Sequence, residues 1–331
     1  MRSLVRILGL AVALFVGACA PHFATPGLAV TTPRFDAPRE LIARDGRVLP
    51  VERWGPKKPR AVIVALHGMN DYANAFADPA AAFAKSGIVT IAYDQRGFGR
   101  MPPVGRWAGE KAMVDDLDDA VQAVRRQYPK TPIYVLGESM GAAVVILWAE
   151  ETGAHGVDGI ILSAPAIWGW HMLNPLYRTV LSLSARILPG KTLSGSRLKI
   201  WPSDNIKMLR ALYYDPLVIK ETRTDTIYGL VTLMDDAYVA APKMPDVPIL
   251  ILYGAHDQII PPRPLRKAMT ARLDTPVRHT RFVYYPHGYH MLLRDLGRAT
   301  VTGDIRAWVE NSTVALPSGG EDDSLNHLSR D

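Results

Sequence analysis

The sequence predicts an α/β fold in which a mostly parallel sheet has helices on both faces. Short, continuous apolar runs recur along the chain, and most alternate with longer segments in which apolar residues follow helical spacing, such as 114–124 and 142–149. Strands that are apolar on both faces are typical of parallel sheets buried between helices. The runs are 61–66, 88–93, 133–136, 159–162 and 249–253.

Length and composition suit a large globular protein. The chain has 331 residues, of which 48% are hydrophobic and 21% charged, enough for a sizeable core. Lys and Arg outnumber Asp and Glu by 38 to 32, and no basic run concentrates this excess, so a nucleic-acid-binding protein is disfavoured. The single cysteine, Cys19, excludes an internal disulfide and a thiolate metal cluster.

Residues 1–18 predict a signal peptide. Arg2 and Arg6 lie beside an uncharged apolar run that ends in small residues and is shorter than the roughly 20 residues of a membrane-spanning helix. The letters VGAC at 16–19 resemble a bacterial lipobox, in which the cysteine is lipidated. We therefore expect an exported lipoprotein that Cys19 anchors to a membrane surface. Ala20, where Asp would favour the inner membrane, favours the outer membrane, facing the periplasm; the alternative is ordinary cleavage with Cys19 incidental.

Residues 19–38, rich in Pro, Thr and Ala without periodicity, are predicted to be a tether. The apolar runs fall in 39–165 and 246–312, the two parts of the core, and a hairpin turn is predicted at Asp45-Gly46. Residues 313–331 are predicted to be a flexible tail.

Residues 166–245 interrupt the alternation of strands and helices. This stretch carries many aromatic and aliphatic residues but no clear buried strand. So long an insertion has to pack onto the main domain, which predicts a helical cap over an active site. The alternative is that its apolar residues only form the inside of a helical subdomain.

The letters GESMG at 137–141 fit the pattern G-x-S-x-G between a predicted buried strand and a helix. In this context the turn leaves no room for side chains at the glycine positions, and the serine hydroxyl projects from the carboxyl edge of the sheet. The pattern predicts Ser139 as a nucleophile, and the alternative is a plain Gly-Ser turn.

A serine nucleophile needs a general base that is itself oriented by an acid. The expected chain order after Ser139 is acid, then histidine, each following a later strand. Asp257 and His290 meet both conditions, so we expect them to converge with Ser139. His287 is a competing base that we interpret as a loop residue, and His256 is interpreted as a loop neighbour of the acid.

Acyl transfer also needs donors for an oxyanion, each typically worth about 3 kcal/mol of barrier. The backbone amide of Met140, directly after the nucleophile, is one candidate. The amide of Met69, in the loop after the first apolar run, is the second, with His67 and Gly68 shaping that loop.

Two other polar groups are interpreted as structural. Residues 94–99 are read as a turn in which Arg96 pairs with a carboxylate. Four acidic residues are interpreted as a solvated helix start, because no second cluster at metal-ligand spacing accompanies them, and no metal site is predicted. These are Asp115, Asp116, Asp118 and Asp119.

Together the motifs resemble the α/β-hydrolase superfamily, and within it the monoacylglycerol lipase and lysophospholipase branch. The resemblance covers about residues 41–310 and rests on HGM at 67–69, DQRGFG at 94–99, GESMG at 137–141, GAHD at 254–257 and GYH at 288–290. It implies an eight-stranded sheet, a serine-esterase mechanism without a cofactor, and a helical cap that admits an acyl chain. It also implies the roles given above for the triad and the two amides.

We therefore expect a serine hydrolase that cleaves lipid-type carboxylic esters, monoacylglycerol or lysophospholipid, through an acyl-serine intermediate. The alternatives are a general carboxylesterase, a haloperoxidase-like or carbon–carbon-bond hydrolase, or a non-catalytic lipid-binding protein at a membrane surface. An epoxide or haloalkane hydrolase is disfavoured, because those enzymes use Asp where this chain has Ser139.

Overall fold

A nine-stranded sheet forms the centre of the computed structural model, which describes residues 27–195, 199–273 and 279–321. The strands of this sheet are β1 (Arg34–Ala37), β2 (Glu40–Ile42), β3 (Val48–Trp54), β4 (Ala61–Leu66), β5 (Ile88–Tyr93), β6 (Ile133–Glu138), β7 (Gly159–Ser163), β10 (Ile249–Gly254) and β11 (Thr280–Tyr285). Their order is β1-β2-β3-β5-β4-β6-β7-β10-β11. Two short strands outside it are β8 (Thr192–Ser194) and β9 (Glu221–Arg223).

Most of the sheet is parallel. All neighbours from β5 to β11 run parallel, whereas β1, β2 and β3 pair antiparallel at one end. Every residue of β4, β5, β6, β7 and β10 is buried, as expected for strands covered on both faces. The predicted α/β fold is confirmed, with nine strands in the main sheet instead of eight.

The described ranges contain eight α-helices. They are α1 (Ala77–Ala84), α2 (Glu110–Gln127), α3 (Met140–Thr152), α4 (Pro175–Ile187), α5 (Ile206–Tyr214), α6 (Thr224–Ala240), α7 (Pro262–Leu273) and α8 (Arg298–Glu310). Helices α2 and α3 bury their apolar residues against one face of the sheet. Helices α1 and α8 cover the other face, where Trp308 lies edge-on to Tyr134 at 5.5 Å between ring centroids.

The insertion between β7 and β10 holds α4, α5 and α6. Helix α6 packs on α3 and adds Leu233, Met234 and Ala237 to the core. Helix α4 buries only Ala185, and α5 buries no residue. The small β8-β9 sheet, whose β8 residues are exposed, was not predicted, because three-residue strands carry no apolar pattern.

Both predicted end segments need correction. Residues Arg34–Ala37, within the predicted tether, form edge strand β1 and pair with β2. In the predicted tail, Leu316 is buried and Glu321 forms an ion pair with Arg281. Such partners are distant in sequence, which is why local composition does not reveal them. Residues 322–331 lie outside the described part of the chain.

The acidic group of α2 is not the solvated helix start that was predicted, because α2 begins at Glu110 and the four residues lie farther along the helix. Asp116 and Asp119 are buried. The Arg96 guanidinium donates two hydrogen bonds to Asp116, at 2.6 and 2.7 Å, and one to Asp45 at 2.6 Å. Arg44 binds Asp119 at 2.6 Å and also contacts Asp115 and Asp118. The predicted structural role of Arg96 is confirmed.

The hairpin turn at Asp45-Gly46 is confirmed, since it joins the antiparallel strands β2 and β3, and Gly46 has a φ of 80°. The predicted signal peptide and Cys19 lie outside the described residues. Over the ranges that are described, no helix is both long enough and apolar enough to cross a membrane.

Candidate active site

Ser139 stands on the turn between β6 and α3 with a φ of 55° and a ψ of −115°, a strained conformation for a residue with a side chain. A Cβ on Gly137 would lie 2.5 Å from the Ala142 backbone, and one on Gly141 would lie 2.3 Å from the Leu66 carbonyl oxygen. Only glycine fits at these two positions. The G-x-S-x-G pattern therefore reflects a tight turn that presents the Ser139 side chain.

The loop after β4 runs beside this turn. His67 is fully buried, and its Nε2 accepts a hydrogen bond from the backbone N–H of Gln95 at 3.0 Å. Its Nδ1–H is therefore assigned as the donor to the Gly68 carbonyl at 2.8 Å. Burial lowers the pKa of His67, which favours this neutral form. A Cβ on Gly68 would lie 3.4 Å from the Ser139 Cβ, so the loop that carries Met69 passes next to the serine.

Met140 is the first residue of α3. The first N–H groups of an α-helix have no acceptor within the helix, and this end of the helix dipole favours negative charge. The Met140 amide, the first of the two predicted oxyanion donors, is thus a backbone N–H at a helix start, directly after Ser139.

His290 and Asp257 are hydrogen-bonded. The distance from His290 Nδ1 to Asp257 Oδ2 is 2.8 Å, and both side chains are buried. The other oxygen, Asp257 Oδ1, accepts from the backbone N–H groups of Ile259 at 2.8 Å and Ile260 at 2.9 Å. An ionised carboxylate only accepts, so Nδ1 is assigned the proton and Nε2 remains as the basic nitrogen.

The charges around His290 favour its role as a general base. Burial alone would lower the pKa of His290, but the charge of Asp257 and its hydrogen bond outweigh burial, so the pKa is raised above 6.5. The other two histidines of this region take the places interpreted from sequence. His287 is exposed and does not line the cavity, and the His256 ring lies against Tyr289 with centroids 5.2 Å apart.

One cavity of about 590 Å³ brings the predicted residues together. Ser139, His290 and Met69 all line it. Most of its remaining wall is apolar and comes from the insertion, including Leu173, Val180, Leu181, Leu230 and Met234. The predicted cap therefore provides a wall of the cavity that holds Ser139 and His290, and does more than fill the inside of a separate subdomain.

Three charged residues that sequence reasoning missed also line this cavity. Arg294 Nη1 lies 2.7 Å from Asp71 Oδ2, and Arg294 Nη2 lies 3.2 Å from Glu138 Oε2. All three side chains are buried, and burial raises the pKa of Glu138. The sequence signals were weak: Glu138 is a variable position of the serine motif, and Arg294 lies four positions after His290. We call Asp71, Glu138 and Arg294 the charged cluster.

Within the described ranges, no group of three or more His, Cys, Asp or Glu side chains is arranged to hold a metal ion.

Residues 57–297 match the family Hydrolase_4, described as serine aminopeptidase, S33. The chain is 26% identical over 280 residues to a rat monoglyceride lipase, covering 82% of this chain and 89% of the relative. It is 25% identical over 269 residues to a monoacylglycerol lipase of Mycolicibacterium smegmatis, covering 77% and 90%.

Solved structures share the fold. A soluble variant of monoglyceride lipase from Saccharomyces cerevisiae, bound to a substrate analog, superimposes with a TM-score of 0.69 at 19% identity, covering 89% of this chain and 99% of that one. A carboxyl esterase from Bacillus coagulans gives a TM-score of 0.70 at 21% identity, covering 83% and 98%.

Proposed function

Because the chain belongs to the Hydrolase_4 family (serine aminopeptidase, S33), we propose that it is a serine hydrolase of lipid-type carboxylic esters. The observation that carries this proposal is the convergence of the Ser139 turn and the His290–Asp257 pair on one cavity with an apolar wall. The relatives named monoglyceride lipase and monoacylglycerol lipase support the substrate class.

In the first step, His290 Nε2 removes the proton of the Ser139 hydroxyl as its oxygen attacks the ester carbonyl. The amides of Met69 and Met140 stabilise the negative charge that develops on the carbonyl oxygen. Asp257 holds the imidazole ring and stabilises its cation. Collapse of the tetrahedral intermediate passes the proton from His290 to the leaving alcohol and leaves an acyl-serine.

In the second step, the same histidine activates a water molecule, which attacks the acyl-serine carbonyl. The fatty acid leaves and the Ser139 hydroxyl is regenerated. The apolar cap wall suits the acyl chain, because removing that chain from water is favourable. The substrate is thus a monoacylglycerol or a lysophospholipid with a medium or long acyl chain.

Ser139→Ala tests this function. Turnover of p-nitrophenyl esters and of monoacylglycerol is expected to fall by at least about 10⁴-fold, with loss of fluorophosphonate labelling and an unchanged unfolding curve. Retention of both turnover and labelling would contradict the proposal. A panel of monoacylglycerols, lysophospholipids and short esters then separates the substrate classes.

We also propose that the chain is exported and anchored through lipidated Cys19 to a membrane surface, in the bacterial outer membrane facing the periplasm. The support is the apolar run before residue 19 and the VGAC letters at 16–19. A lipid anchor adds about 0.8 kcal/mol of membrane affinity per buried methylene and would keep the active site near lipid.

Labelling with a fatty-acid analog tests the anchor. The wild-type chain is expected to take up the label and to fractionate with membranes, whereas Cys19→Ala is expected to do neither. Absence of label on the wild type, or label that survives the substitution, would remove the anchor and leave the catalytic proposal unchanged.

A further inference from the structure

The charged cluster joins three segments that carry the proposed chemistry. Asp71 follows the Met69 loop, and its backbone N–H contacts the Gly68 carbonyl at 3.4 Å. Glu138 immediately precedes Ser139. Arg294 lies one turn after His290, and its own backbone N–H donates to the Met291 carbonyl at 2.8 Å. One guanidinium therefore spans the oxyanion loop, the nucleophile turn and the histidine segment.

Net stability does not account for this arrangement. Removing three charged groups from water costs about as much as their mutual attraction returns, so a buried ion cluster is weak evidence for a stabilising role. In addition, Glu138 Oε1 and Arg294 Nε are buried without a hydrogen-bond partner among the described residues. Unpaired buried polar atoms are costly, and such costs are typical of functional sites.

Geometry assigns a more specific role. The planar guanidinium presents separate nitrogens to two carboxylates, so it fixes both the distance and the angle between the groups that it binds. Here the two carboxylates belong to Asp71, which follows Met69 and Asn70, and to Glu138, which precedes Ser139. Their separation sets where the Met69 amide lies relative to the attacking oxygen, and a displacement of about 1 Å in such a site can cost about 10²-fold in rate.

Resting on the proposed function, we propose that Arg294 is a positioning residue that holds the Met69 loop against the Ser139 turn through Asp71 and Glu138. The oxyanion site is thereby preformed before substrate binds. The same cluster also acts on the base, because the charged groups that face His290 are Asp257, Glu138 and Arg294. Glu138 raises the pKa of His290 and Arg294 lowers it.

The first readout is kinetic. Arg294→Met is expected to lower kcat by about 10²- to 10³-fold, the cost of losing one oxyanion donor. KM should change by less than about threefold, because the contact matters in the transition state and not in substrate binding. Affinity for an alkyl boronic acid, which mimics the tetrahedral intermediate, should fall in step with kcat. Arg294→Lys keeps the charge but loses the planar guanidinium, so its kcat and its boronic acid affinity should lie between those of the wild type and Arg294→Met.

The second readout is the pH profile of kcat/KM, whose acid limb reports the pKa of the base in the free enzyme. Arg294→Met removes a cation, so the pKa of His290 should rise and the acid limb should move to higher pH. Glu138→Gln removes a carboxylate, so the limb should move to lower pH. A residue that only supports the fold would produce no such opposite displacements.

The matched control is Arg96→Lys, which alters a second guanidinium, partly buried, with two carboxylate partners, Asp45 and Asp116, away from the cavity. It should lower stability while leaving the acid limb and the boronic acid affinity in place. Should Arg294→Met fail to fold, Arg294→Lys provides the kinetic and boronic acid readouts, and Glu138→Gln provides the pH readout.

The inference is overturned if the Arg294 variants that fold keep kcat within about threefold of the wild type, or if they lose activity without any change in acid limb or boronic acid affinity. Failure of the proposed function looks different. In that case the wild-type chain itself shows no ester turnover, or Ser139→Ala retains it.

Discussion

The core buries its apolar residues, whereas much of the cap leaves them exposed. Strands β4, β5 and β6 bury every residue, and the nucleophile turn at the end of β6 is fixed by glycines with no space for a Cβ. In the cap, helices α4 and α5 leave large apolar side chains exposed, such as Leu176, Tyr177 and Tyr214, at 66% to 80% of their surface.

Of the cap helices, only α6 packs its apolar residues on the core, within the described residues, and polar contacts also join the two regions. Tyr72 donates to Asp215 at 2.7 Å, and Asn70 donates to Thr222 at 2.7 Å. We infer that the core determines the chemistry through rigid backbone geometry, whereas the cap determines which acyl chain fits. The four substitutions below test this division, beginning with the largest expected effect.

Asp257→Asn should lower kcat by about 10⁴-fold, because an amide at this position allows the wrong histidine tautomer. The loss should be the same factor for a short p-nitrophenyl ester and for a long-chain one, since the His290–Asp257 pair acts on the ester group that both substrates share. Steady-state kinetics with both esters checks this. A loss that depends on chain length would break the division between core and cap.

Gly141→Ala should lower the free energy of unfolding by about 1–3 kcal/mol, because the new Cβ would meet the Leu66 carbonyl oxygen. Turnover should fall with it, since the nucleophile turn has to shift. The matched control is Gly303→Ala in α8, where a Cβ meets nothing within 4 Å. Urea denaturation should show a gain of about 0.5–1 kcal/mol for this control.

Val180→Asp in the cavity wall should lower kcat/KM for long-chain esters by about tenfold, because a carboxylate replaces apolar contact with the chain. Short esters should react at the wild-type rate. Val239→Asp is the matched control, as Val239 is a half-exposed valine of α6 that does not line the cavity. Equal loss on both ester lengths would contradict a specificity role for the cap.

Tyr72→Phe should have the smallest effect. It removes the hydroxyl that donates to Asp215 and should lower the free energy of unfolding by about 1 kcal/mol. Burial and the Asp215 carboxylate raise the pKa of Tyr72 to about 12, so the hydroxyl stays protonated and the effect should not vary between pH 6 and about 9. Hydrogen exchange should quicken in the cap but not in β4, while Tyr213→Phe, on an exposed side chain, should leave both unchanged.

The sequence predicted the core well because its signals are local. The run at 61–66 is β4 and the run at 88–93 is β5, while the other three runs differ from their strands by one or two residues. The nucleophile turn was equally readable, since steric exclusion at Gly137 and Gly141 leaves a fixed pattern around Ser139. The role of Asp257 as the acid was predicted from its place after a later strand and before His290 in the chain.

The unpredicted features depend on partners that are distant in the chain. Arg44 and Asp119 are 75 positions apart, so their contact is not visible in the sequence, and the acidic group of α2 was predicted to be solvated. Arg294 and Glu138 are 156 positions apart, and neither position carries a pattern that pairs it with the other. Only the folded sheet brings such groups together.

The segment after α8 has a consequence for association between molecules. Strand β11 is the edge strand at the end of the sheet opposite β1. The backbone N–H of Tyr284 donates to the Gly320 carbonyl at 2.9 Å, and the Arg281 side chain donates to the Ser312 carbonyl at 2.6 Å. The segment after α8 thus covers backbone groups of β11 that would otherwise be open to pairing with a strand of another molecule, which is a common route to aggregation. A chain cut after Asn311 would expose them, so expression variants should retain the residues through Glu321.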